Sequence, residues 1–194
     1  MGGQQVNGII IGLVTDLNDP EKLGRVKVKY PTLADQESDW ARLVTPMAGK
    51  DRGQFFRPEV GDEVLVAFEL GDVRRPYVLG SLWSQTDTPP DEGVQSAKND
   101  IRVIKSRSAH LLIFDDTQGK EKIEIIASDG KRKVVLDSAN QKIQVTCDSG
   151  DVEVKAGSGT VKVDATTVEI KASGNMTLQA SGTMTIKGAT VNIN

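Results

Sequence analysis

From Ile123 onward one short pattern, apolar, polar, apolar, polar, small, recurs nine times without an aromatic residue or a proline. Its apolar pairs are Ile123/Ile125, Val134/Leu136, Ile143/Val145, Val152/Val154, Val161/Val163, Val168/Ile170, Met176/Leu178, Met184/Ile186 and Val191/Ile193. The spacing from one pair to the next is 11, 9, 9, 9, 7, 8, 8 and 7 residues, which is too short for helical repeats. Alternation at period two puts both apolar residues of a unit on one face of a short strand. Two positions after the pair comes a small residue, Ala127, Ser138, Cys147, Ala156, Ala165, Ala172, Ala180 or Gly188, where a chain can turn close to a crowded axis.

A five-residue strand with one narrow apolar face cannot bury that face alone. Stacked repeats bury a continuous core, but coils of a single chain usually need two or three strands each, more than eight or nine residues supply. Three identical chains wound about one axis meet the requirement, because each supplies one wall of a triangular prism at every level. The repeat therefore predicts a homotrimer with Ile143, Val145, Val152, Val154, Val161, Val163, Val168, Ile170, Met176, Leu178, Met184 and Ile186 in its core. Nine rungs at about 4.8 Å give a rod roughly 40 Å long, with almost no free sheet edge. The competing reading is a meander of short strands in a sandwich, whose core normally carries aromatics and less regular spacing.

Before residue 91 the composition changes. All seven prolines, both tryptophans and both tyrosines lie there. The run Ser84 to Gly93, with Pro89-Pro90 at its centre, reads as an extended polar linker. Ahead of it, strands are expected over Val6–Thr15, Gly24–Tyr30, Trp40–Val44 and Arg75–Trp83, and Arg57–Phe68 reads as a turn feeding a strong strand, with Asp-Pro, Gly-Asp and Arg-Pro turn signals between them. Five short strands in under ninety residues suggest a small closed barrel of the oligonucleotide/oligosaccharide-binding (OB) type. The expected fold class is all-β. Its expected domains are an OB-fold over 1–83, a linker over 84–100 and a β-helix spike over 101–194, with the repeats starting at 122.

A formal net charge of −3 and an isoelectric point near 5.3 argue against a general binder of nucleic acid or anionic membrane. The single Cys147 excludes an intramolecular disulfide and reads as a small core residue. A charged and apolar leader and a long apolar run are both missing, so the expectation is manufacture in the cytoplasm.

The barrel residues resemble a known family. Gly12-Leu13-Val14-Thr15-Asp16, Asp19-Pro20 and Leu23-Gly24-Arg25-Val26-Lys27-Val28-Lys29-Tyr30-Pro31 are similar to the opening of the barrel domain in contractile-tail spike proteins. Trp40-Ala41-Arg42, Phe56-Arg57-Pro58, Gly61-Asp62-Glu63-Val64, Gly71-Asp72, Arg75-Pro76 and Leu79-Gly80 continue the resemblance in order. Ser108 to Asp116 resembles the segment that introduces the spike β-helix. The family comprises phage baseplate spikes and their relatives in type VI secretion and extracellular injection particles.

This resemblance implies a structural trimer, assembled into a tail baseplate or contractile particle, that caps the tube and hub and pierces the target envelope on sheath contraction. It implies partners as well: a hub protein and inner tube at the barrel end, transient contact with the target membrane, and a conical tip protein of the PAAR-repeat type at Val191, Asn192, Ile193 and Asn194. Some relatives carry a lysozyme domain or a His-x-His iron site. The Trp83–Ile101 connection is too short for the first, and His110 is the only histidine, so neither is expected. A type VI-like spike and a trimeric receptor-binding fibre are the alternatives.

Other chemistry finds little support. Asp115, Asp116, Glu121, Glu124 and His110 form no nucleophile or metal-ligand motif, so no catalytic, cofactor or metal residue is assigned. Lys22, Arg25, Lys27, Lys29, Arg74 and Arg75, with Tyr30 and Trp40, could line a nucleic-acid groove. The alternating Arg25/Lys27/Lys29 row is more simply a solvated strand face, and no nucleic-acid specificity is assigned.

Overall fold

The computed structural model describes residues 5–94 and 97–193. Its contacts divide the chain into a unit of residues 1–150 and a unit of residues 151–194.

The first unit opens with β1 (Ile9–Asp16), β2 (Lys27–Tyr30), β3 (Gln36–Glu37), β4 (Arg42–Leu43), β5 (Ala48–Gly49), β6 (Arg52–Gly53), β7 (Glu63–Phe68) and β8 (Pro76–Ser81). Six of these form one sheet in the order β3-β2-β1-β7-β8-β4. β4 joins β8 in parallel, while Ala41 just before it bridges Val26 just before β2, with N···O distances of 2.8 and 3.0 Å. One continuous segment thus ties the β4 edge of the sheet back to the start of β2, and the sheet curls as an OB-type barrel requires. The expected Trp40–Val44 strand is reduced to β4 and that bridge.

Strict alternation in β2 and β7 aims Val26, Val28, Tyr30, Val64, Val66 and Phe68 inward, where they pack with Val14, Ala41, Val73 and Val78. The Tyr30 and Phe68 rings meet edge to face with centroids 5.4 Å apart. β1 crosses this core closely at Gly12, where a Cβ would collide with Val28 and crowd Val66.

After a one-turn helix α1 (Asp91–Val94), the first unit ends in an antiparallel meander of β9 (Ile101–Lys105), β10 (Leu111–Asp115), β11 (Lys122–Ile126), β12 (Arg132–Asp137) and β13 (Lys142–Cys147). This corrects the expectation of nine equivalent rungs, because the first three repeat units are hairpin strands. The connections 127–131 and 138–141 reverse the chain direction between them. Asp129 and Asp137 accept backbone N–H groups of Lys131 and Asn140, while Gly130 and Gln141 take the left-handed conformation there.

In the second unit none of the described residues 151–193 belongs to a strand pairing. Among the described residues no helix is long and apolar enough to cross a membrane.

Candidate assembly surfaces

Asp16 to Arg25 is held by one carboxylate. Asp19, 8% exposed, accepts the N–H groups of Glu21, Leu23 and Arg25 and both the Nε and Nη2 of the Arg25 guanidinium, the last at 2.7 Å. The guanidinium above all, then these amides, hold its carboxyl far below the usual carboxylate range despite the opposing effect of desolvation. The loop so fixed presents Leu23, 68% exposed, to a groove of about 1050 Å³.

The opposite wall of this groove is the β5–β6 hairpin, closed by Gln54 N–H to the Met47 carbonyl and by the Thr45 hydroxyl to the Gln54 carbonyl. It carries exposed Met47, Phe55 and Phe56. The Phe55 ring lies beneath the Arg57 guanidinium and against Gly24. Lys22, Arg25, Arg42 and Arg52 line the groove with one acid, Asp51. Sequence reasoning assigned no role to this hairpin; the available signal was the Phe55-Phe56 pair in a segment otherwise rich in Gly and charge.

The second surface is one face of the β9–β13 meander. Cross-strand register aligns Ile123 with Leu136 and Ile143, and Ile125 with Val134 and Val145. Ile104 and Phe114 continue this face across β9 and β10. Ile125, Leu136, Ile143 and Val145 are all exposed, so within one chain the face has no cover. On the other side of the sheet Ile113 is buried, and Lys122 pairs with Glu124 at 2.9 Å. Cys147, at the end of β13, is half-buried with its thiol against the Ser149 carbonyl.

The third surface is the ribbon of residues 151–193, where every described residue is exposed. Lys155 meets Glu153 at 2.6 Å, Lys162 meets Asp164 at 3.5 Å and Lys171 meets Glu169 at 2.6 Å. Each pair is two residues apart, so each joins side chains on one face of an extended segment and leaves the apolar pair to the other. Val152, Val154, Val161, Val163, Val168, Ile170, Met176, Leu178, Met184 and Ile186 form that apolar row, from 47% exposed at Met184 to 73% at Val154. The expected tip-contact residues Val191, Asn192 and Ile193 are exposed as well, and Asn194 lies outside the described residues.

The residues considered for catalysis do not converge. Asp116 pairs with Arg102, Glu124 with Lys122, Asp115 accepts Thr117 N–H, Glu121 accepts Gly119 N–H, and His110 accepts the Ser128 N–H at Nδ1. Among the described residues no cluster of three His, Cys, Asp or Glu side chains is placed to hold a metal. The basic row of the barrel is matched by acids, with Arg25 on Asp19, Lys27 on Glu37, Lys29 on Asp35, Arg74 on Asp72 and Arg75 on Glu69.

Residues 10–83, which comprise the curled sheet and its groove, match the family described as the type VI secretion system/phage-baseplate injector OB domain. The similarity continues past the barrel. The type VI secretion system spike protein VgrG3 of Vibrio cholerae is 30% identical over 132 residues, which cover 61% of this chain and 13% of that protein. Residues 10–83 are thus similar to that OB-domain family, and about three fifths of the chain is similar to this spike protein. A second spike relative, VgrG1a of Pseudomonas aeruginosa, is 29% identical over 133 residues, or 62% of this chain and 20% of its own length. The actin cross-linking toxin VgrG1 of Vibrio cholerae is 30% identical over 138 residues, 63% of this chain and 12% of that protein. The matched stretch spans about an eighth to a fifth of the length of each of these relatives.

Proposed function

We propose that the chain is the central spike of a contractile injection machine, acting as a homotrimer that caps the tube and hub and is driven through the target envelope when the sheath contracts. One observation carries this reading: from Val152 to Ile193 an aliphatic row stands exposed on one side of a ribbon whose other side is charged or polar. An apolar row of that length in one chain calls for a cover. Three copies wound about a common axis cover it with each other, in a triangular β-helix whose core is the aliphatic row and Ile143 and Val145. In this reading 1–83 is the OB barrel, 84–100 the connection and 101–194 the spike.

The assigned role is mechanical, without catalysis, cofactor or metal. Hub protein and inner tube belong at the barrel, where the basic-rimmed groove with Phe55 and Phe56 offers apolar contact area. A PAAR-type tip protein belongs at Val191–Asn194. The chain is made in the cytoplasm and assembled into the particle. The similarity to type VI spike proteins favours a type VI apparatus as the setting, while the family matched by the barrel also includes phage baseplates.

Light scattering after size exclusion tests the reading. The expected mass is three times the 20.9 kDa of one chain, with a band that survives detergent until it is boiled. A monomer that melts cooperatively would sink it.

A further inference from the structure

The three ion pairs of the ribbon alternate in sense. Along the chain the order is Glu153 then Lys155, Lys162 then Asp164, Glu169 then Lys171. Within one strand this order is immaterial, because an acid and a base two residues apart meet equally well either way round. The alternation acquires a consequence only when strands are laid side by side.

We propose that these six side chains are a register key read by a second copy of the chain. The inference rests on the trimeric-spike reading and specifies how the copies align. In a wound trimer each unit lies beside the next unit of a neighbouring copy, about 4.8 Å away along the axis. The first outward positions then make a column of Glu153, Lys162 and Glu169, and the second a column of Lys155, Asp164 and Lys171. Every charge has an opposite charge beside it in its own strand, and Lys162 and Asp164 have opposite charges both above and below them in the neighbouring copies. A slip of one unit sets acid against acid and base against base in both columns.

Such a key has a physical task, because the buried side cannot perform it. Val152, Val154, Val161, Val163, Val168 and Ile170 are interchangeable aliphatic residues on a nearly uniform repeat. A one-unit slip would bury almost the same surface, and a strand pairing whose core does not distinguish registers must be specified by something else. The outward side supplies it over these three units. The next two units carry Thr177/Gln179 and Thr185/Lys187, without acids, so the key occupies the first half of the ribbon.

Charge exchange tests the proposal in the full chain. Lys162→Glu combined with Asp164→Lys keeps the in-strand pair but turns both columns into like charges. Adding Glu153→Lys, Lys155→Glu, Glu169→Lys and Lys171→Glu inverts every sign and restores the alternation. By calorimetry at low salt in a fixed urea concentration, the two-substitution chain is expected to melt about 5 °C or more below the parent, or to fail to form trimer. The gap should shrink in 1 M NaCl, where the screening length is about 3 Å. The six-substitution chain should regain the trimer and the parental midpoint. A two-substitution chain that melts with the parent, or a six-substitution chain that is no better than it, overturns the register key. A parent chain that is monomeric before any substitution overturns the trimeric reading beneath it, so the two failures are told apart.

Discussion

Asp19 organises a ten-residue loop through one carboxylate that accepts three amides and a bidentate guanidinium. Asp19→Asn removes the charge that these donors surround and leaves Arg25 with only the exposed Glu21 as an acidic partner. The barrel of that variant is expected to melt about 5 °C or more below the parent by circular dichroism. The pH dependence follows from the direction of the shift: the folded pKa lies below the unfolded value near 3.9, so the unfolded state binds protons first. The carboxylate contributes fully above about pH 5 and progressively less as acid is added below pH 4. Parent and Asp19→Asn stabilities should accordingly converge on acidification toward pH 2, as urea titrations at pH 7, 4 and 2 would measure. Gly12 is constrained by space instead. Gly12→Val drives a branched side chain into Val28 and Val66, and a loss of about 1–3 kcal/mol in urea unfolding is expected.

At the scale of elements, alternation alone could not distinguish two arrangements. Period-two patterning describes a hairpin strand and a stacked rung equally well, and Ile123/Ile125 looks the same as Val161/Val163 in that respect. Spacing does not separate them either, because nine residues lead from Val134 to Ile143 between two hairpin strands and again from Val152 to Val161 in the ribbon. The turn chemistry around Gly130 and Asn140, with Asp129 and Asp137 accepting backbone N–H groups, marks the reversals. The strands of the barrel were legible because β2 and β7 alternate without a break between clear turn signals. The β5–β6 hairpin was not, since its four strand residues include two glycines and carry no alternation. For the ribbon, Val154→Asp or Ile170→Asp is expected to abolish trimer in size exclusion, because three carboxylates would meet on a dry axis. Full-size trimers from either variant would show that these side chains do not face the core. Lys155→Gln, on the outward side, should leave the trimer intact.

For the whole molecule, stability is expected to be a property of the assembly more than of the chain. A spike whose interior is supplied by three copies should melt at a midpoint that rises with protein concentration, which calorimetry over a hundredfold dilution would register; a midpoint independent of concentration would contradict reversible trimer dissociation during melting. The two units also differ in what they can do alone. The barrel closes its own sheet through the Val26–Ala41 bridge and buries its own core, so its folding is a unimolecular event. Residues 151–193 belong to no strand pairing among the described residues, and in the proposed trimer their ordering waits on encounter with other copies. Refolding from denaturant should therefore show a fast phase insensitive to dilution and a slow phase that steepens with concentration. In the proposed particle the barrels, once folded and gathered at the tube, would become the device that shortens the second phase, since three tethered ribbons meet at an effective concentration far above that of free chains.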